Sequence, residues 1–100
     1  MTPSLLTLNN EQLQQVEEMS AALLPPDEIA ILMNINPESR DLFREICKNH
    51  KNTLIYNSYQ RGRLTTKYEL RKTVIKLAKA GSPAAEPIAE KYIKEQLINE

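Results

Sequence analysis

Proline-containing turns divide this chain into short segments, and their spacing restricts the fold more than any other feature. Pro25-Pro26, Asn36-Pro37 and Gly81-Ser82-Pro83 each place a proline where a helix can begin. The residue before a proline also disfavours helical geometry, so the preceding helix ends there. With only two glycines in 100 residues, the intervening segments favour helices over strands. The sequence therefore predicts an all-α protein.

The first half of the chain is predicted to form a flexible arm over residues 1–8 and a three-helix domain over residues 9–51. Asn9 or Asn10 caps the first helix, with Glu11 in its first turn. The second helix begins at Pro26 and is almost wholly apolar over residues 29–33, so we expect it to be buried on most sides. Asn36 caps the third helix, which runs to about residue 49.

Residues 53–100 are predicted to form a helical hairpin with an oligomerisation surface and a basic surface. A long helix over 53–80 contains Gly62, which indicates a kink or a tight contact. Ser82 caps the last helix and Pro83 lies in its first turn, with Ile88, Tyr92, Ile93 and Leu97 on its buried side. The long helix has two apolar stripes. One comprises Tyr56, Tyr59, Thr66, Leu70, Val74 and Leu77; the other, predicted to contact another subunit, comprises Leu64, Tyr68, Ile75 and Ala78.

Charge is strongly segregated along the chain, although the formal net charge is zero. Residues 1–39 carry six acidic and no basic residues, residues 40–80 carry eleven basic and three acidic residues, and residues 81–100 carry two basic and four acidic residues. Local potential steers association even where net charge vanishes. Two interpretations remain open: the basic middle segment binds DNA, or acidic and basic helices pair within or between subunits.

The first three helices have the dimensions of a helix-turn-helix, in which the third helix enters the major groove. Arg40 and Arg44 are then expected at guanine edges or phosphates, and Lys48 and Lys51 at phosphates. A second basic cluster on the long helix contains one acid, Glu69. Its members are Arg61, Arg63, Lys67, Arg71, Lys72, Lys76 and Lys79.

Catalysis, metal binding and membrane insertion find little support in the sequence. His50 follows Cys47 on one stripe, but a metal site needs further ligands and nucleophilic catalysis needs an oriented base and an oxyanion site. We therefore expect no enzyme, metal or cofactor. The single cysteine, the absence of a signal-peptide pattern and the lack of a long apolar run predict a cytoplasmic protein without membrane contact.

Several motifs, in their order along the chain, resemble phage and prophage proteins of the small-terminase-subunit type. They are Asp27-Glu28-Ile29-Ala30-Ile31-Leu32, Tyr59-Gln60-Arg61-Gly62-Arg63-Leu64, Glu69-Leu70-Arg71-Lys72, and the stretch from Leu77 to Ala85. The resemblance implies a non-catalytic protein that recognises double-stranded viral DNA for genome packaging. It also implies ring-like homo-oligomers that deliver DNA to a large terminase subunit, in the host cytoplasm if the protein is phage-encoded. In this sequence, however, the proposed recognition helix is less basic than the long helix.

Two other functions fit the same residues. A helical adaptor or assembly protein would pair its acidic and basic segments between subunits. A helix-turn-helix transcription regulator would bind a palindromic site as a dimer.

Overall fold

The computed structural model describes residues 6–99, which hold five α-helices and no β-strand. The helices are α1 (Asn10–Ala21), α2 (Pro26–Leu32), α3 (Pro37–Asn49), α4 (Leu54–Lys79) and α5 (Glu86–Ile98). The all-α prediction is confirmed. Contacts group the residues into two compact units, the first ending at Thr66 and the second beginning at Lys67. The division along the chain therefore falls within α4, whereas the sequence predicted a boundary near residue 52.

A capping box sets the start of α1. The Asn9 side chain accepts a hydrogen bond from the Gln12 backbone N–H at 2.8 Å, and the Gln12 side chain accepts one from the Asn9 N–H at 2.9 Å. Two backbone donors that the helix leaves without partners are thus satisfied reciprocally. Of the two predicted caps, Asn9 is the one used, and Glu11 lies in the first turn as predicted.

Helix α2 begins at Pro26 as predicted, but only one of its sides is buried. Ile29 and Ala30 are fully buried, whereas Ile31 and Leu32 are 54% and 59% exposed. The expectation that this apolar helix is buried on most sides is therefore wrong. A seven-residue helix makes about two turns, and the side that carries Ile31 and Leu32 has no packing partner among the described residues.

The core of the first unit lies between α1, α2, α3 and the start of α4. Leu6 and Leu8 pack against this core, so that part of the predicted arm is held by apolar contacts; residues 1–5 lie outside the described residues. The fully or nearly fully buried apolar residues are Val16, Ile29, Ala30, Ile35, Phe43, Ile46, Cys47 and Ile55.

Helix α3 begins at Pro37, but the predicted cap does not form. Asn36 makes no side-chain hydrogen bond to the first turn, and its carbonyl instead accepts a hydrogen bond from the Ser39 N–H at 2.8 Å. The fixed backbone angle of proline at the first helical position already favours this start. The asparagine is therefore not needed as a side-chain cap.

Helix α4 crosses α1 very closely at Gly62. A Cβ atom at this position would lie 2.1 Å from the Glu17 carbonyl oxygen and 2.9 Å from the Ala21 nitrogen. Nearby, the Ser20 hydroxyl donates to the Tyr59 carbonyl and the Thr66 hydroxyl donates to the Ala21 carbonyl. Of the two predicted reasons for Gly62, the tight contact is the one the structure shows.

The second unit contains the end of α4, a turn and α5. Gly81 adopts a left-handed φ of 93° just past α4, and the Ser82 N–H donates to the Leu77 carbonyl at 3.0 Å, as expected for a glycine that ends a helix. The predicted Ser82 cap and Pro83 first turn are wrong. Helix α5 begins at Glu86 with Pro87 in its first turn, where a proline costs no hydrogen bond.

The predicted buried side of α5 is also wrong. Ile88, Ile93 and Leu97 are 43%, 58% and 63% exposed, and Tyr92 is partly buried. A helix in a two-helix hairpin has a single neighbour and can cover only one narrow side. Among the described residues of this unit, Ala85 is the one apolar residue that is buried.

Candidate nucleic-acid and assembly surfaces

The two arginines expected to read bases from α3 are engaged within their own chain. Arg40 Nε donates to the Ile35 carbonyl at 3.1 Å. Arg44 forms ion pairs with Asp27 at 3.3 Å and with Asp41 at 3.0 Å. Lys48 and Lys51, expected at phosphates, are exposed. Base reading by Arg44 would therefore require it to leave its ion pairs, whereas the hydrogen bond of Arg40 engages only its Nε among the described residues.

The outward side of α3 is acidic over most of its length. Glu38, Asp41 and Glu45 are exposed and follow one another at spacings of three and four residues, which places them on one side of the helix. Lys48 continues the same side one turn later. Asp41 is paired with Arg44, but Glu38 and Glu45 form no ion pair among the described residues. Because such carboxylates repel phosphate, this side is poorly suited to the major groove.

The second half of α4 carries a continuous basic surface, here called the basic stripe, formed by Tyr68, Lys72, Lys76 and Lys79. All four side chains are exposed and lie on one side of the helix at spacings of four, four and three. The Lys72 ammonium lies 5.7 Å from the centre of the Tyr68 ring. Within residues 6–99, the ion pairs formed do not involve these three lysines.

Arg71, by contrast, joins α4 to α5. Its guanidinium lies 2.7 Å from Glu95 and 4.1 Å from the centre of the Tyr92 ring. The hydrogen bond from Arg71 lowers the pKa of Glu95. Of the remaining predicted DNA contacts, Lys67 and Arg61 are exposed and Arg63 is partly buried. Arg71 therefore has a structural partner, whereas the basic stripe does not.

A groove of about 740 Å³ lies between α4 and α5 in the second unit and is here called the hairpin groove. Ile75 and Ala78, two residues of the predicted oligomer stripe, line it together with Ile93 of α5. Lys67 and Lys79 add positive charge to its wall. The other two stripe residues, Leu64 and Tyr68, are exposed.

The other apolar stripe of α4 is covered in the first unit and uncovered in the second. Tyr59 packs against the core of the first unit, while Leu70 and Leu77 in the second unit are about half exposed. A large patch of exposed apolar side chains on a protein surface often marks an interaction site.

Cys47 and His50 lie at the C-terminal end of α3, and their surroundings indicate a structural role. Cys47 is buried, and burial raises the pKa of its thiol to about 12. The thiol is therefore neutral at physiological pH, whereas a nucleophilic cysteine needs a lowered pKa. Gln60 Nε2 donates to the Cys47 carbonyl at 3.4 Å. The part of the chain that the structure describes contains no cluster of three or more His, Cys, Asp or Glu side chains suited to a metal.

No protein-family model, curated protein or solved structure matches this chain. The resemblance to small terminase subunits thus depends on the order of the sequence motifs. Within residues 6–99, none of the helices has the length and apolar character that crossing a membrane requires.

Sequence reasoning missed two features of these surfaces. It did not anticipate the exposed Ile31 and Leu32 of α2, although the shortness of the segment between Pro26 and Asn34 was a usable signal. It also counted Arg71 with the DNA-binding cations. The partners of Arg71, Tyr92 and Glu95, lie on α5. The spacing of residues within α4 therefore could not show that Arg71 is paired.

Proposed function

We propose that this chain is a non-catalytic DNA-binding protein that acts as a homo-oligomer, in the manner of a phage small terminase subunit. In this role it recognises viral DNA for packaging and delivers it to a large terminase subunit. The observation that carries the DNA-binding part is the exposed basic stripe of α4. Its three lysines lie on one side of a helix and have no carboxylate partner among the described residues.

Backbone contacts by the basic stripe supply most of the affinity in this proposal. Lys72 and Lys79 are seven residues apart, about 10 Å along the helix. Lysines in this arrangement bind phosphates as point charges and carry little sequence information. Tyr68 adds a ring and a hydroxyl at the end of the stripe. The exposed stripe is thus suited to hold DNA, and a separate element must select the site.

In this proposal the first unit is a helix-turn-helix that contributes the choice of sequence. The short turn between α2 and α3 and the packing of Ile29 with Phe43 in one core support that arrangement. The acidic side of α3 and the ion pairs of Arg44 leave Lys48 and Lys51 as its phosphate contacts. Arg44 can reach a base only when it exchanges Asp27 and Asp41 for that contact.

The basic stripe can be tested by salt-dependent binding to duplex DNA. The double substitution Lys72→Gln and Lys76→Gln removes two exposed cations, so we expect the slope of log affinity against log salt to shrink by about 1.8. At low salt the affinity should fall at least about tenfold. The matched control is Lys91→Gln with Lys94→Gln, which removes the same charge from exposed positions on α5 and should change the slope by less than half as much.

Two results would overturn this part of the proposal. One is a chain that does not bind DNA at low salt. The other is an equal loss of affinity in the stripe and control variants, since that result would reflect net charge rather than the basic stripe.

The oligomeric part of the proposal is supported by the second unit. Its two helices bury little apolar surface against each other, and a small unit with so limited a core gains stability by association. We expect the mass in solution to exceed the 11.5 kDa of one chain severalfold. A packaging protein should form a large ring, whereas a transcription regulator should form a dimer on a palindromic site.

An assembly protein without DNA is the second candidate, and a specific observation favours it. Glu38, Asp41 and Glu45 on α3 mirror the spacing of Lys72, Lys76 and Lys79 on α4 when the two helices run antiparallel. These sides of two copies could therefore pair charge against charge. Under this candidate the Lys72→Gln and Lys76→Gln variant shows weaker self-association at low salt, and neither it nor the natural chain binds DNA.

A further inference from the structure

We infer that copies of this chain associate head to tail, with the exposed side of α2 of one copy seated in the hairpin groove of the next. This inference rests on the oligomeric part of the proposed function and names the surfaces that form it. Lys79 belongs to both the basic stripe and the hairpin groove, but the DNA test substitutes Lys72 and Lys76, which lie outside the groove lining, so the two proposals can fail separately.

The exposed side of α2 combines apolar and acidic groups. Ile31 and Leu32 are more than half exposed, and Asp27 and Glu28 lie one turn before them, each four residues away and therefore on the same side. Both acidic residues are exposed. An association surface of this kind needs an apolar pocket with basic residues beside it.

The hairpin groove has that composition. Ile75, Ala78 and Ile93 provide apolar lining, and Lys67 and Lys79 provide positive charge. The one carboxylate in the lining, Glu95, is already paired with Arg71 at 2.7 Å. At about 740 Å³ the groove is far larger than the space that one water molecule needs. It can therefore accommodate whole side chains.

The positive charge of the hairpin groove favours α2 of another copy, rather than the groove of another copy, as the surface that binds it. Two hairpin grooves packed face to face would bring the Lys67 and Lys79 side chains of both copies together, and such like-charge contacts oppose association. Glu28 of α2 carries the opposite charge and forms no ion pair among the described residues, whereas Asp27 is already paired with Arg44 at 3.3 Å. Because the two contacting surfaces differ, a pair of bound copies still presents one free α2 and one free groove, so the assembly closes as a ring or grows as a filament.

Two variants with one blocked surface each test this arrangement. Ile31→Lys with Leu32→Lys places cations on α2 opposite the basic groove, and Ile93→Lys places a cation in the groove itself. Both alter exposed side chains, and circular dichroism verifies that helix content is retained. We expect each variant alone to be monomeric by light scattering, with self-association weakened at least about tenfold.

The decisive measurement is the mass of an equimolar mixture of these variants. The intact groove of the α2 variant should accept the intact α2 of the groove variant, and growth should stop there because the other surfaces are blocked. A heterodimer of two chains is therefore expected. Ile98→Lys, on the same helix but outside the groove lining, is the control and should retain the mass of the natural chain.

A charge exchange provides an independent check. Glu28→Lys should weaken association at least about tenfold, and adding Lys79→Glu to the same chain should restore it, because every interface would then pair the exchanged charges. An α2 variant that keeps the natural mass, or a mixture that stays monomeric, overturns the head-to-tail contact. A natural chain that is monomeric at high concentration overturns the oligomeric proposal as well.

Discussion

At the scale of single residues, three helix ends use a left-handed backbone conformation. Asn34 and Gly81 are residue types that adopt it readily, with φ values of 58° and 93°. Leu23, just past the end of α1, has a φ of 67°. A side chain with a Cβ atom costs about 1–2 kcal/mol in this conformation. Leu23 is also more than half exposed, so little packing offsets that cost.

We therefore predict that Leu23→Gly stabilises the protein. The relief of backbone strain should exceed the extra conformational entropy of glycine in the unfolded chain, for a net gain of about 0.5–1 kcal/mol in the free energy of unfolding. Urea denaturation measures it. Leu70→Gly, a similarly exposed leucine with helical geometry that lies outside the lining of the hairpin groove, is the control and should lose about 1 kcal/mol. A loss in both variants would show that Leu23 stabilises the fold through its side chain.

At the scale of helices, the close crossing of α1 and α4 requires a residue without a Cβ atom at position 62. Gly62 lets the two backbones approach until a Cβ would overlap the Glu17 carbonyl. The carbonyls of Tyr59 and Ala21 also accept hydroxyl hydrogen bonds at this crossing. The atoms nearest to Gly62 are backbone atoms of α1, which cannot move aside as a flexible side chain can, so position 62 requires glycine.

Gly62→Ala is accordingly predicted to destabilise the protein by about 2 kcal/mol or more, because the added methyl forces the helices apart. On an exposed helix the same change would stabilise by about 1 kcal/mol through helix propensity. The sign of the effect is therefore informative. Thr65→Ala, on an exposed side of α4, should stay within about 0.5 kcal/mol. Thermal or urea unfolding of both variants makes the comparison, and a stabilised Gly62→Ala protein would contradict the close crossing.

At the scale of the whole molecule, the two units differ in how well each encloses its apolar residues. The first unit has a core around Phe43, while the second leaves Leu70, Leu77, Ile93 and Leu97 largely uncovered. Anything that binds only the folded state raises the apparent stability by mass action. A second copy of the chain acts as such a partner in the oligomer proposed above.

The midpoint of thermal unfolding should therefore rise with protein concentration. Over a hundredfold range of concentration we expect an increase of several degrees, because about 2.7 kcal/mol of linkage is available per hundredfold excess over the dissociation constant. Scanning calorimetry or circular dichroism at several concentrations measures this. The Ile93→Lys variant should lose the dependence. A midpoint that stays constant for the natural chain would indicate that the hairpin is stable without a partner.

The sequence by itself determined the features that local geometry controls. Pro26 and Pro37 start helices, Asn9 caps α1 and Gly81 ends α4, because each depends on backbone angles and hydrogen bonds within a few residues. The segregation of charge and the spacing of the lysines in the basic stripe also follow from the order of residues. These features predicted an all-α chain with a basic long helix.

Only the tertiary structure decided which of these residues are covered. It showed that α2 and α5 keep apolar sides exposed, that Gly62 lies against the α1 backbone, and that Arg44 and Arg71 already have carboxylate partners. Each outcome depends on where a second helix lies, and the spacing of residues within one helix carries no information about its neighbour. Within the basic middle segment, Lys72, Lys76 and Lys79 lie exposed on one side of α4 and form no ion pair among the described residues.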